Sequence, residues 1–549
     1  VTTCTVVSPP PLMSKLQMLA DGSFKAMVHA IRPSARVPEK KDCVTTMRAV
    51  KTAMMEKVSR LINGEHVCIT TDGWTSCAND TYLSLTVTLV TSVWQLVTLS
   101  VDCSKSEGTT SGEALAAGTT ATLAKHGLTG DVTVVTTDCE PSMVKMGRLL
   151  EEDAVWTHIG CCNHRIESTT SIVFNGPGFK KVMALARGLV TRYTTSSQAA
   201  DRLKQFVKTY LNVDNKRVIQ DVATRWWSTC SMIARLLELE VPIKMHAAAD
   251  KLDPILSAAD WEILKMILPV LEPFRHTQTL LEDRKYVTGS LVVPFIYDLR
   301  NSLEDAIDDL NDLPPSSDAD VKTAKAAVMP RQPCGFKPLQ LLATALDPRT
   351  KILWGVAEDE KADIWNLVQE EAVKIALESR NAETAQRASS QQGPEAAARP
   401  ASRATSADAQ DLSSKHRRRG GGFMAAAQAV GGARTQQLDE GTDISTTSLI
   451  KNSVRVELTA FTASTGIKMY EEEEERTRVY LDPFDWWRVR CKDYPHLANL
   501  ARRVLAIPAT QAESERLFSC AGNIVTKNRN NLAPSTVELL VLLRHSWKI

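Results

Sequence analysis

The chain lacks the spacings and runs that would name several protein classes outright. Its 12 cysteines contain no C-x-x-C pair, so neither a zinc ribbon nor a disulfide framework is expected and no zinc site is evident. Reduced thiols in a cytosolic or nuclear protein fit better. No run of 18 or more apolar residues occurs, which argues against a membrane-spanning helix. The N-terminus has no secretory pattern, and it begins at Val1 rather than Met, so a missing natural start is expected. Charge of one sign is also missing. Lys and Arg number 65 against 64 Asp and Glu, a formal +1, so any nucleic-acid surface must be local.

The balance of 43% hydrophobic and 23% charged residues over 549 positions is that of a globular chain of two to four domains. Residues 1–65 read as an N-terminal helical segment, with Met47, Val50, Met54, Val58, Leu61 and Ile62 at three- and four-residue steps. Residues 66–165 hold the strand signals. A short apolar strand at 66–71 ends at Asp72, alternating strands cover 82–90 and 95–101, and an Ala- and Leu-rich helix covers 113–126. A β-branched strand at 132–137 ends at Asp138, a helix follows with Pro141 in its first turn, and a fifth strand spans 156–161. Three strands, helix, strand, helix, strand predict an α/β fold with a mixed sheet and helices packed on it.

Residues 166–380 read as an all-helical insertion, with 202–211, 228–239 and 261–271 as examples. Residues 381–447 are dominated by Ala, Ser, Gln, Gly and Arg and are expected to be disordered, with a basic run at Lys415–Arg419. The five acids Glu471 to Glu475 suggest a solvated face. From Asp482 three helices are expected, broken by Pro495, Pro508 and Pro534. The last, around Val537–Leu543, is apolar on nearly every side and demands burial.

Asp72 and Asp138 each follow an apolar strand. If those strands are parallel neighbours, both carboxylates emerge at one sheet edge, where open α/β sheets place their sites. Two such carboxylates repel unless a cation lies between them, and Mg²⁺ takes oxygen ligands. The plain alternative is that both are turn or helix-cap residues. Glu515 shares a helical face with Phe518, Ser519 and Gly522, and a surface glutamate is the alternative there. Cys161 and His164 make a C-x-x-H, half a zinc site without a second half. Arg225-Trp226-Trp227 sets a cation beside stackable rings, against ordinary core packing of the tryptophans.

Several of these residues stand in motifs that resemble the hAT superfamily of cut-and-paste transposases. Ser514-Glu515-Arg516-Leu517-Phe518-Ser519-Cys520-Ala521-Gly522 resembles the signature of the hAT C-terminal dimerisation region, continued by Arg529, Asn531, Leu532, Pro534 and Val537-Glu538. Asp482-Pro483-Phe484-Asp485-Trp486-Trp487 resembles the opening of that region. Thr71-Asp72-Gly73-Trp74-Thr75-Ser76, Thr137-Asp138, Cys161-x-x-His164, Thr224-Arg225-Trp226-x-Ser228-Thr229 and Leu346-Asp347-Pro348-Arg349 resemble further family motifs in family order. The resemblance implies an RNase H-like catalytic domain interrupted by a large all-α insertion and completed by residues 450–549. It implies that Asp72, Asp138 and Glu515 bind Mg²⁺ or Mn²⁺ for DNA cleavage and strand transfer. It also implies that Arg225 and Trp226 grip a flipped base, with His164 near the scissile phosphate. Trp486, Trp487, Leu517, Phe518, Leu540 and Leu543 would then serve self-association.

The sequence departs from the family pattern in four places, two of them being Trp227 where the T-R-W-N-S element has Asn and the length of the insertion at 381–447. The second motif reads Asp138-Cys139-Glu140-Pro141-Ser142-Met143, without the usual asparagines, and no BED zinc-finger spacing occurs. DNA and a second copy are the expected partners, without a membrane or a small-molecule cofactor, and the nucleus is the expected location. The competing expectation is a catalytically inactive nuclear protein derived from such an enzyme, acting by dimerisation and by binding DNA or protein.

Overall fold

The computed structural model describes residues 30, 34 and 38–546, except 107–109, 129–131, 155, 176, 223–225, 285, 312–335, 392–439, 474–476 and 527–531. Helix α1 (Lys40–Ile62) leads into a five-stranded sheet. Its strands are β1 (Val67–Thr75), β2 (Thr81–Val90), β3 (Leu96–Lys105), β4 (Val132–Thr137) and β5 (Thr157–Gly160). Their order across the sheet is β3-β2-β1-β4-β5. The first three form an antiparallel meander, and β4 and β5 add in parallel beside β1. Helices α2 (Gly112–Lys125) and α3 (Pro141–Ala154) make the crossovers that parallel neighbours require. The expected order of elements is therefore the observed one.

Alternation along the central strands sorts side chains onto two faces. Ile69, Leu85, Val87, Leu89, Val101 and Val135 point to one side and form a core with Leu115 and Leu123 of α2 and with Met143, Met146 and Leu150 of α3. Cys68, Val90 and Val134 point to the other side, where the C-terminal helices lie. One expectation needs correction. β1 does not stop before Asp72 but runs to Thr75, because β2 pairs with it residue by residue as far as Thr81. Backbone hydrogen bonds to β2 outweigh the weak strand preference of Asp72 and Gly73.

From β5 the chain enters an all-helical body: α4 (Cys162–Asn175), α5 (Pro177–Thr195), α6 (Ser197–Leu211), α7 (Trp226–Glu238), α8 (Glu240–Ala249), α9 (Ala258–Leu281) and α10 (Val292–Asn311). Their apolar stripes meet in one core around Val190, Met232, Ile233, Leu236 and Leu264. α11 (Pro338–Leu346), α12 (Glu358–Gln391) and α13 (Glu440–Ala463) return the chain towards the sheet. The stretch expected to be disordered is thus helical at both ends. Lys415–Arg419 lies outside the described residues. Tyr470–Glu473 and Thr477–Tyr480 form a hairpin, β6 and β7, which places the first three of the five acids in an antiparallel pair. Tyr480 of that hairpin and Met469 just before it pack into the helical-body core.

The C-terminal part has four helices where three were expected: α14 (Pro483–Arg490), α15 (Pro495–Val504), α16 (Ala512–Ile524) and α17 (Pro534–Ser546). Three prolines open helices, as their fixed φ and missing N–H allow. α16 lies on β1 and β2, and α17 lies on the edge strand β3 and on α1. A buried pair, Asp347 and Arg349, ties these parts together. The Arg349 guanidinium also donates to the carbonyls of Leu481 and Val287 at 3.1 Å each. Among the described residues no helix is long and apolar enough to cross a membrane.

Candidate functional site

Parallel pairing of β1 and β4 sets Ile69 against Val135 and Thr70 against Thr136. Two residues further along each strand come Asp72 and Asp138, so the register delivers both carboxyl groups to one end of the sheet. The Gly73 amide donates to Asp72 Oδ1 at 2.8 Å, and the Glu140 amide donates to Asp138 Oδ1 at 3.0 Å. These bonds fix where each carboxylate points.

Glu515 arrives on α16 from the far end of the chain. The helix is seated by hydroxyls rather than by apolar packing alone. Thr70 Oγ1 lies 2.6 Å from Thr86 Oγ1 and 3.3 Å from Ser514 Oγ, all three buried. Thr70 is two residues before Asp72 on the same face of β1, and Ser514 precedes Glu515, so this contact carries Glu515 towards the acids. At the start of α16, Arg284 from the loop after α9 forms a two-pronged ion pair with Glu513, and Arg516 pairs with the same carboxylate. Arg516 also donates to the carbonyl of Glu282. The helical body is thereby clamped to the helix that bears Glu515.

The electrostatics register the crowding of acids. Burial and then the facing Asp138 push the Asp72 carboxyl up to about 7, with Glu515 adding to the effect and the Gly73 amide opposing it. Asp138 is also raised, by burial first, while the neighbouring His164 works in the opposite direction and Glu140 adds to the rise. His164 is half-buried, and its Nδ1 lies 3.4 Å from Gln511 Nε2, just ahead of α16. Among the described residues no three His, Cys, Asp or Glu side chains are gathered closely enough to form a ready-made metal cage. The expected metal triad is thus close enough to interact but not drawn in to ligand distance. Neighbouring carboxylates repel, and Glu515 is exposed. In donor chemistry, three carboxylates still suit a hard divalent cation and suit zinc or copper less.

Residues 467–547 match the hAT family C-terminal dimerisation region, and residues 159–270 match the ZBED1 RNase-like helical domain. The chain is a hAT-family protein. It is 21% identical over 401 residues, 73% of its length, to human zinc finger BED domain-containing protein 4, and this covers 30% of that protein. It is 43% identical over 60 residues, 11% of its length, to the putative AC transposase of Zea mays, covering 7% of the latter. To the Arabidopsis thaliana zinc finger BED domain-containing protein DAYSLEEPER it is 30% identical over 90 residues, 16% of this chain and 13% of that one. The chain therefore spans less than a third of the length of each of these curated relatives.

Several expected site residues of this hAT chain fall elsewhere. Trp226 is buried in the core of the helical body, because α7 turns that face inward, so it is not free to stack on a base. Its neighbour Trp227 is 40% exposed. Arg225 lies outside the described residues. Cys161 is fully buried and its thiol is raised by burial, which makes it a poor metal ligand.

The expected self-association residues also need correction. Trp487, Leu517, Phe518, Leu540 and Leu543 are buried within the single chain. Trp487 stacks on Trp94 with ring centres 5.2 Å apart and donates from Nε1 to the Leu346 carbonyl at 3.0 Å. Trp486 is half-buried and stacks on Tyr494. The apolar last helix is absorbed by β3, α1 and α16 of its own chain. Sequence reasoning missed Thr70, Thr86 and Ser514. Their signal was the pairing of hydroxyl residues at alternate positions of β1 and β2, where a one-sided core would place aliphatics.

Proposed function

We propose that this chain is the catalytic portion of a hAT-type DNA transposase with an RNase H-like fold. The observation that carries the reading is the meeting of Asp72, Asp138 and Glu515 at one end of a mixed β3-β2-β1-β4-β5 sheet, with Asp72 feeling the charge of both other acids. An antiparallel meander extended by parallel strands, interrupted by a helical body after β5, supports the RNase H-like assignment. Asp72, Asp138 and Glu515 are the residues to hold Mg²⁺ or Mn²⁺. When bound, such ions activate a nucleophilic hydroxyl and stabilise the leaving oxygen of a phosphodiester.

The chain's own residues do the rest. The amides of Gly73 and Glu140 orient the two aspartates. The Thr70–Thr86–Ser514 hydroxyls hold α16 at a set height above the sheet. His164, steadied by Gln511, offers a ring nitrogen beside Asp138 for a phosphate oxygen. Trp227, exposed at the start of α7, replaces Trp226 as the ring available to an unstacked base. DNA is then the substrate and the nucleus the place of action. Self-association follows from the matched dimerisation region, and the apolar side chains left for it are exposed ones such as Val489 on α14 and Val456 on α13. Light scattering of the purified chain at micromolar concentration tests it, and a monomer throughout would refute it.

The decisive assay is Mg²⁺- or Mn²⁺-dependent nicking and strand transfer of plasmid DNA by the wild-type chain and by an Asp72→Ala, Glu515→Ala double variant. Wild-type activity that falls at least about 10²-fold in the variant supports the reading. A second reading, a binding protein that has lost catalysis, draws on the extra charge of Glu140 beside Asp138. DNA binding without nicking in the wild-type chain would favour it.

A further inference from the structure

We propose that the cleft between α1, β3, α2 and α17 is a track for the phosphodiester backbone of DNA. It rests on the reading of the chain as a DNA-acting hAT protein and adds a binding surface away from the acids. The cleft has a volume of about 830 Å³, and Arg48, Lys51, Arg60, Lys125 and His126 line it against Glu56 and Glu538. On a chain of nearly neutral total charge this is a local excess of cations. Helix α1 concentrates it further: six of its residues are basic, Lys40, Lys41, Arg48, Lys51, Lys57 and Arg60, and only Asp42 and Glu56 are acidic. Asp42 is engaged at the helix start, where its carboxylate accepts from the Glu39 amide.

The basic side chains of the cleft are of two kinds. Lys51 pairs with Glu538 at 2.6 Å, and Lys125 and His126 share the buried Asp102 at 2.7 and 3.1 Å. These pairs build the wall of the cleft. Arg48 and Arg60 are exposed at its rim, and the Arg60 guanidinium donates back to the Glu56 carbonyl of its own helix. The twelve helical steps from Arg48 to Arg60 span about 18 Å. Phosphates of one DNA strand advance about 3.4 Å each along the duplex axis, so this rim matches about five of them.

The cleft also runs in a useful direction. Met47 and Met54 of α1 pack in the cluster of Trp74, Tyr82 and Phe518, near Asp72, while Val58 and Ile62 pack with Val67 and Leu89 at the opposite end of the sheet. A strand lying along α1 therefore leads towards the acids. Residues 1–37 do not supply a rival occupant by charge, since they hold Asp21 as their sole acid against Lys15, Lys25, Arg32 and Arg36.

The test uses the full chain and a 30-base-pair duplex followed by fluorescence anisotropy over a salt series. An Arg48→Glu, Arg60→Glu variant removes the two rim cations without touching the core or the acids. The expected result at about 0.1 M salt is binding weakened at least about 10-fold, with the slope of log K against log salt reduced by about 2. The Arg48→Gln, Arg60→Gln variant should show the same trend at smaller size, and it decides the matter if the reversed charges disturb folding. Unchanged affinity and slope in both variants, with plasmid nicking by the wild-type chain intact, would overturn the track and leave the transposase reading standing. A wild-type chain that neither binds nor nicks DNA would overturn both. An acidic peptide of equal charge that binds more tightly than DNA, with the variants losing only the peptide, would overturn the track in favour of a protein partner.

Discussion

Replacing Asp72 by Asn should change how the stability of this chain depends on pH, and the structure gives both sign and size. The Asp72 carboxyl is lifted to about 7 by burial and by Asp138, whereas an unfolded aspartate sits near 3.8. Well below pH 3.8 the group is protonated in both states and contributes nothing. As pH rises towards 7 the unfolded chain ionises freely and the folded chain resists, so stability from this group is lost across that window. About three units at 1.36 kcal/mol each set a ceiling near 4 kcal/mol. Salt and the exposed setting of Glu515 reduce the realistic figure to about 1–3 kcal/mol.

Asp72→Asn removes the ion and should therefore stabilise the fold at pH 8 and change it little near pH 4. In a domain of 150–250 residues that is a rise of about 2–12 °C in the unfolding midpoint. Circular dichroism melts of both proteins at half-unit steps from pH 4.5 to 8.5 read it directly. Mg²⁺ at pH 8 should narrow the gap, because a cation between the acids stabilises only the wild-type chain, and chelation should restore it. Parallel curves for the two proteins across the range would refute the reasoning, since they would mean that Asp72 ionises as easily in the fold as outside it.

Three further outcomes follow from buried features. Trp487→Ala deletes a ring stacked on Trp94 and Phe461 and should cost about 3–5 kcal/mol, read as an earlier denaturant midpoint. Arg349→Met strands the buried Asp347 carboxylate and two backbone carbonyls, with an expected loss of about 3–5 kcal/mol; a change under about 1 kcal/mol would show the pair to be replaceable. Gly147→Ala drives a methyl group into the His158 ring between α3 and β5, so it should lower the melting temperature, and a neutral result would mean the sheet edge can shift.

The sheet was legible because its strands alternate and its parallel members are β-branched, which is what burial on one and two faces produces. Asp72 and Asp138 were legible as candidates because each follows an apolar run. Glu515 was legible only through the motif around it, since an exposed glutamate on an amphipathic helix carries no signal of its own. What failed was facing. Trp226 and Trp227 differ by one helical step of about 100°, and only the packing of α7 against its neighbours decides which ring is buried. The same limit applies to the last helix. Its apolar character announced burial, but a sequence does not say whether the cover comes from the same chain or another. The extension of β1 past Asp72 was hidden because hydrogen bonding to β2, not side-chain preference, holds those residues in the strand.

Thr70 meets Ser514 across 444 residues of chain. In a growing polypeptide that separation becomes a delay. After Asp138 leaves the ribosome, the segment bearing Glu515 follows about 20–75 s later at ordinary rates of synthesis. The sheet and its first two acids can be complete through all of that time while the third acid has not yet been made. A nascent or truncated chain that stops short of α16 therefore carries Asp72 and Asp138 in place and lacks Glu515.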